Sequence, residues 1–362
     1  AYLTLARVCY LQASRLGLSV LAAFSAWGIN FGRHAVIRPE MFGGLCFALL
    51  LWLVVRSDPS RRRDGTQSTE LSIIDRLLLW IGVPVLFALW ANLHGSFIVG
   101  FAVLGGYALG RGAEVLWRER KLSAVLGDVP FRRWVLLTEL AVLATVLNPY
   151  GFDLLLHTLL FPSNPNLKDI MEWYSLGMVS VEGIAVGASW LLLLIVLRHS
   201  RARVSVSDVI LLAVFTLAVC LRVRMVAWYG PVWMLVIAPH LRDVIEQVRS
   251  TRLGESVAQG FRWAEYKSSR IAMFSLLGVW LTFVFSPVSS LVLSGSGRTA
   301  KMQYHTDTPR GVSEYLREHP PQGMIFNPQW WGDWLAWDGP ENLQVMMTTN
   351  AVHVVPPKVW RD

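Results

Sequence analysis

Arg222 and Arg224 stand one residue apart in a short break between two long apolar runs, so their guanidinium groups cannot move far from each other. Two cations held that close repel, and a phosphate or pyrophosphate offsets the repulsion by accepting their paired N–H donors. The competing role is anchoring, with both side chains snorkelling to lipid headgroups. Arg38, just before Pro39 at the start of another apolar run, admits the same two roles. A further break reads Trp90-Ala-Asn92-Leu-His94-Gly95. In so tight a turn Asn92 and His94 either aim polar atoms into a cavity between helices or cap the helix ends.

The acids are less constrained. Asp153 and Asp169 read as solvated loop carboxylates, and nothing in their spacing fixes a general-base geometry. Glu172 is flanked by Trp173 and Tyr174, and an acid among aromatic rings is a common way to seat a sugar, which makes Glu172 the weak candidate for a catalytic group. Glu139 lies inside an apolar run, where an acid is functional by default unless it reaches Arg132 or Arg133. Trp330, Trp331 and Asp333 form a Trp-Trp-Gly-Asp-Trp cluster that would stack on a sugar or peptide, or sit at a membrane interface. Cys9, Cys46 and Cys220 build neither a disulfide framework nor a CxxC site, and a lone His makes no metal centre. No cofactor is implied with certainty, and a divalent metal stays open.

These residues must be positioned by elements that live in lipid. The chain has 362 residues, 54% hydrophobic and only 16% charged, with mean hydropathy +0.43. Its apolar residues gather in runs of about 20, the length that crosses a hydrocarbon core of about 30 Å. Nine spans are expected, at 15–31, 37–55, 73–91, 95–116, 133–149, 183–198, 206–221, 225–241 and 271–293, and 2–12 could complete a tenth. Alternate connections carry the basic residues: Arg56 with Arg61-Arg62-Arg63, then Arg118 to Arg133, Arg198 to Arg203, and 242–270. By the positive-inside rule those loops are cytoplasmic, and the 33 Lys+Arg against 25 Asp+Glu report topology and no nucleic-acid partner. Loop 150–182, the turn 222–224, the turn 91–95 and the tail 294–362 then lie on the other face.

The tail is different in composition. Ser294-Gly-Ser-Gly297 is a flexible joint, Thr308-Pro309 opens a helix that Pro320-Pro321 ends, and Gly323–Phe326 and Leu343–Met347 read as short buried strands around a Trp-rich segment. The expectation is an all-α polytopic bundle over 1–293 followed by the opening of an extracytoplasmic α/β domain over 294–362. Because Ala1 lies inside an apolar-periodic stretch without the marks of a signal peptide, the sequence reads as an internal piece of a longer protein.

Taken as an ordered set, RPEMF, WANLHGSF, NPYG followed by EWYS, and TPRGVSEYLREHPPQGMIFNPQWWGDWLAW resemble bacterial membrane proteins related to the C-type (GT-C) glycosyltransferases, a group that includes the protein O-mannosyltransferase-like enzymes. The resemblance spans most of 30–360. The WWGDW element also looks like the WWDYG signature of oligosaccharyltransferase catalytic subunits but departs from it, so peptide recognition does not carry over. What the resemblance implies is inverting transfer of a sugar from a polyprenyl-phosphate donor, with an acid of the first outer loop as base. No residue here matches that acid, whose expected home is upstream of Ala1. The competing class is a non-catalytic membrane protein, a lipid-linked-sugar transporter or a structural subunit, that keeps the architecture without the chemistry.

Overall fold

The structure, a computed structural model, describes residues 1–30, 39–58, 61, 71–250, isolated positions between 268 and 283, 286–297, 304, 306–348, 351–356 and 358–359. It divides into two compact units, Ala1–Thr251 and Arg252–Asp362. Among its described residues the first unit has helices and no strands: α1 (Tyr2–Ala13), α2 (Leu16–Ile29), α3 (Glu40–Arg56), α4 (Ile73–Leu77), α5 (Val83–Leu93), α6 (Phe97–Glu119), α7 (Leu122–Gly127), α8 (Val129–Thr145), α9 (Phe152–Leu160), α10 (Val181–His199), α11 (Val206–Leu221) and α12 (Val226–Arg249).

Side-chain caps start several of these helices. Ser72, Asp128, Ser180 and Ser205 each accept a backbone N–H from three residues on, satisfying a donor that the first turn leaves without a partner. Prolines interrupt two others. Pro84 has no N–H to give the carbonyl one turn back, and the chain joins α4 to α5 through a π turn at Leu78–Gly82, making one continuous helix. Pro239 likewise leaves the Leu235 carbonyl of α12 without its intrahelical donor, and the buried Gln12 of α1 supplies one from Nε2 at 3.2 Å. The helices pack closely where glycine allows it: a Cβ on Gly110 of α6 would run into the backbone of Ser207 at the start of α11.

Three helices, Ile73–Leu93, Phe97–Glu119 and Val181–His199, are long and apolar enough to cross a membrane. Their outward faces are apolar too, with Leu89, Leu109, Leu191 and Ile195 exposed, as expected of a helix with lipid on one side and protein on the other. Leu16–Ile29 and Val206–Leu221 are apolar but shorter. At the remaining expected spans within 1–250 the structure has helices over its described residues. The expected span 271–293 falls mostly outside the described residues.

In the second unit the described elements are α13 (Pro287–Ser294), α14 (Arg310–Glu318), β1 (Met324–Ile325), α15 (Gln329–Asp338), β2 (Gln344–Val345) and α16 (Ala351–Val354). The strands pair in parallel, Met324 with Gln344 and Ile325 with Val345, and the Trp-rich segment between them is the crossover helix α15. The strands are where the sequence puts them, but they are not buried. Met324 is 63% and Phe326 84% exposed, because a two-stranded pair carrying a single crossover helix leaves the other sheet face uncovered. The α14 helix starts after Pro309, as Thr308-Pro309 led one to expect, but without a side-chain cap.

Candidate functional site

One end of the first unit gathers α3, α5, α6 and α12 on an aromatic floor. Phe47 of α3 meets Trp228 of α12 and Trp90 of α5 edge-on, with ring centroids 5.3 and 6.3 Å apart, and the Trp90 and Trp228 rings lie 6.4 Å apart. Gly43 allows this contact, since a Cβ there would collide with Ser96 and press on both indoles. The floor rings are essentially buried, Trp90 at 0% and Trp228 at 3% exposure. The Trp90 indole N–H donates to Ser96 Oγ at 3.0 Å, which ties the floor to the turn that joins α5 and α6.

Above this floor the same turn carries His94. Helix α5 ends at Leu93 and His94 is extended, so its ring folds back on Ser96: Nδ1 accepts the Ser96 backbone N–H at 3.1 Å and lies 2.8 Å from Ser96 Oγ. An Nδ1 that accepts a backbone N–H puts the ring proton of the neutral imidazole on Nε2, which has no hydrogen-bond partner among the described residues. Burial pushes the His94 pKa below its ordinary value, the charge of Glu40 opposes that shift, and the charge of Arg224 adds to it.

Both charges come from helix starts that share the floor. Glu40 opens α3 one turn before Gly43, on the same helix face, and Arg224 lies in the 3-10 turn Val223–Met225, about one turn before Trp228. Three polar groups, an imidazole, a carboxylate and a guanidinium, thus sit about one turn beyond the Gly43–Ser96–Trp90–Trp228 contact. The loop 150–182 completes the wall. Its Tyr174 carbonyl accepts the Val223 N–H at 2.9 Å, and its Leu176 N–H donates to the Cys220 carbonyl at 3.1 Å. That pairing sets the Trp173 ring under Arg224, with the guanidinium carbon 4.7 Å from the ring centroid. Trp173 in turn packs edge-on against Phe161, 5.5 Å away, and Glu172 beside it is half-buried.

The residues singled out in the sequence separate here. His94 and Arg224 come together. Arg222 is exposed, and its guanidinium donates to the Leu221 carbonyl at 3.0 Å, whereas Arg224 lies over the Trp173 ring. Their separation has a local reason: Arg222 is the extended cap of α11, whereas Arg224 lies within the following 3-10 turn. Asn92 is exposed and its amide nitrogen donates to the Ala88 and Leu147 carbonyls, both at 2.8 Å, so it joins the end of α5 to the end of α8 and does the capping. Arg38 lies outside the described residues. Trp330, Trp331 and Asp333 belong to α15 of the second unit, where Trp330 and Trp334 line a cleft of about 390 Å³ with Asp307. Glu139 is exposed and makes no ion pair among the described residues.

Sequence reasoning missed Glu40 and Ser96 as members of the cluster, and named Trp173 only as a neighbour of Glu172. Glu40 reads locally as an ordinary acid in a first helical turn. Only its membership of the RPEMF string hinted at more. No group of three or more His, Cys, Asp or Glu among the described residues could hold a metal ion. What the arrangement offers is a cation and a neutral N–H donor for an anion, with a carboxylate beside them that can accept a proton. No protein family model matches this chain, and neither does any curated protein or solved structure.

Proposed function

We propose that this chain is a membrane glycosyltransferase-like protein of the GT-C type, transferring a sugar from a polyprenyl-phosphate-linked donor at the extracytoplasmic face of the cytoplasmic membrane. The observation that carries the reading is the placement of Glu40, His94 and Arg224 about one turn beyond the aromatic floor, at the turn between two helices long enough to cross a membrane. A lipid-linked phosphate arrives at that depth, where its head meets protein dipoles and its chain remains in lipid.

In this reading Arg224 and the Nε2–H of His94 hold the phosphate. Glu40 takes the proton from the acceptor hydroxyl, the oxygen so freed forms its bond to the anomeric carbon, and the bond from that carbon to the phosphate oxygen breaks with its electrons on the lipid phosphate. Trp173 shields the guanidinium from water, and Glu172 is the second carboxylate of the same wall. The topology belongs to the same proposal: about nine crossings, Arg61–Arg63 cytoplasmic, and loop 150–182, the turn 222–224 and the α/β tail outside. The basic residues of alternate connections support it.

Binding of polyprenyl phosphate to the purified chain in lipid nanodiscs tests the site. Arg224→Lys keeps the charge but loses the planar fork, so affinity should fall while the fold survives. Unchanged affinity in the Arg222→Ala, Arg224→Ala double variant removes these residues from the site. In a Cys220→Ser background, labelling of an Arg62→Cys variant from outside intact cells would overturn the topology.

A further inference from the structure

We infer that α9 lies along the lipid–water boundary, with Phe152, Leu156, Leu159 and Leu160 among the lipid chains and Asp153 and His157 in water. Three observations place it there, and none depends on sugar transfer.

The first is depth. Thr158 of α9 packs on Gly95, with its methyl carbon 3.5 Å from where a Cβ on that glycine would stand, and Gly95 lies in the turn between Ile73–Leu93 and Phe97–Glu119, the two consecutive helices of membrane-crossing length. The chain entering α9 is held at the same level by the bond from Asn92 to the Leu147 carbonyl. A helix fixed beside the ends of two such helices is at the depth of the headgroups.

The second is the division of its surface. At about 100° per residue, Phe152, Leu156, Leu159 and Leu160 share one sector of about 100°, Asp153 and His157 follow it, and Leu154, Leu155 and Thr158 take the remaining side. That remaining side is the one packed on the protein, with Leu155 buried. The apolar sector is open, at 60% exposure for Phe152, 47% for Leu156, 54% for Leu159 and 60% for Leu160. A helix with one side on protein, one apolar side open and one polar side open next to it has the sectors of an in-plane interfacial helix.

The third is continuity. The open apolar surface runs without a charged break from Leu143 and Leu147 at the end of α8, through the exposed ring of Tyr150, into Phe152. A cleft of about 440 Å³ then follows the apolar–polar border of α9, with Leu156, Leu160 and Phe161 on one side and Asp153, His157 and Asn164 on the other. Such a border is what the boundary between acyl chains and headgroups requires. At nine residues α9 is far too short to cross the bilayer, so it lies along it.

The test uses the full chain in nanodiscs, in a Cys220→Ser background so that the buried Cys9 and Cys46 are the other thiols. An environment-sensitive fluorophore goes on Leu156→Cys and, separately, on Asp153→Cys; Leu160→Cys repeats the apolar measurement should the first variant fail to fold. Lipids with a quencher on the acyl chain should remove most of the emission at 156 or 160 and little at 153, and iodide in the water should do the reverse. Iodide quenching at 156 and 160 equal to that at 153 overturns the proposal. So does protection of 156 and 160 from both quenchers, the result expected if a protein covers this face.

Discussion

Where the first unit carries Arg56, Arg61 and Arg111, each guanidinium meets a carboxylate of another segment, whereas at the opposite end Arg224 lies over an indole and beside an imidazole. Arg61 is the clearest case of the first kind, with Nη2 2.6 Å from Asp208 and 3.2 Å from Ser205 Oγ, Asp58 within 3.6 Å and the Tyr107 ring beneath it. Arg56 meets Asp75 at 2.5 Å, and Arg111 grips Asp128 with two bonds of 3.0 and 2.7 Å. The Arg111 fork holds the Asp128 carboxyl below the usual carboxylate range while that carboxylate also caps α8. The lesson is that one residue type does two jobs. With an acid of another segment it joins loops and helix starts; stacked on the Trp173 indole, with its charge felt by a histidine, it suits an anion.

Substitutions at the two ends can break that contrast. The largest effect is expected at Arg61, whose side chain is 10% exposed and whose partner Asp208 is 7% exposed. Arg61→Met leaves a buried carboxylate without its cation and should cost about 3–5 kcal/mol of unfolding free energy, with much of the loss recovered in Arg61→Met, Asp208→Leu. A loss below about 1 kcal/mol would place this pair among ordinary surface ion pairs.

Next in size is Arg224→Gln. Stability should change by about 1–2 kcal/mol, less than at Arg61, through loss of the half-buried cation–π contact with Trp173. Polyprenyl-phosphate affinity should drop by roughly 10- to 100-fold, the loss of a charge-assisted bond of about 1.5–3 kcal/mol. Destabilisation equal to that of Arg61→Met, with binding intact, would make the two ends alike.

Asn92→Ala sharpens the boundary of the site. It should lower stability by about 1 kcal/mol through the lost bond to Leu147 and leave lipid-phosphate binding unchanged. Weakened binding at full stability would return Asn92 to the group.

The smallest effect concerns His94. Its pKa in the folded chain lies below the ordinary 6.5, so the unfolded chain binds the extra proton first as pH falls. This group's contribution is therefore fully present above pH 6.5 and is lost as pH drops towards the folded value. Removing the positive charge in Arg224→Gln should raise the His94 pKa, and removing the negative charge in Glu40→Gln should lower it further. Imidazole proton shifts followed by NMR against pH would read both. If neither variant moves the titration, the three groups do not share an environment.

Much of the fold can be read from single stretches of sequence. Several helices declare themselves by their own apolar runs: 73–91 against the observed Ile73–Leu93, 183–198 against Val181–His199, 206–221 against Val206–Leu221. The tail strands are legible by the same means, because Met324–Ile325 and Gln344–Val345 lie inside the expected short runs. Local composition suffices here because a helix satisfies its hydrogen bonds within itself, and a glycine or proline break acts where it stands.

The site was legible only in part, and the reason is directional. Asn92 and His94 are two residues apart, yet one is on α5 and the other in the extended residue after it, so their side chains part. Arg222 and Arg224 part for a similar reason. Glu40, in contrast, is far from both His94 and Arg224 along the chain and reaches them only because Gly43 lets α3 approach Ser96 and Trp228. The sequence by itself determined where several of the long apolar helices begin and end, Ile73–Leu93, Val181–His199 and Val206–Leu221 among them. Which faces meet, and therefore which of its few polar residues share one end of the bundle, depended on glycine-level contacts between helices that no single stretch records.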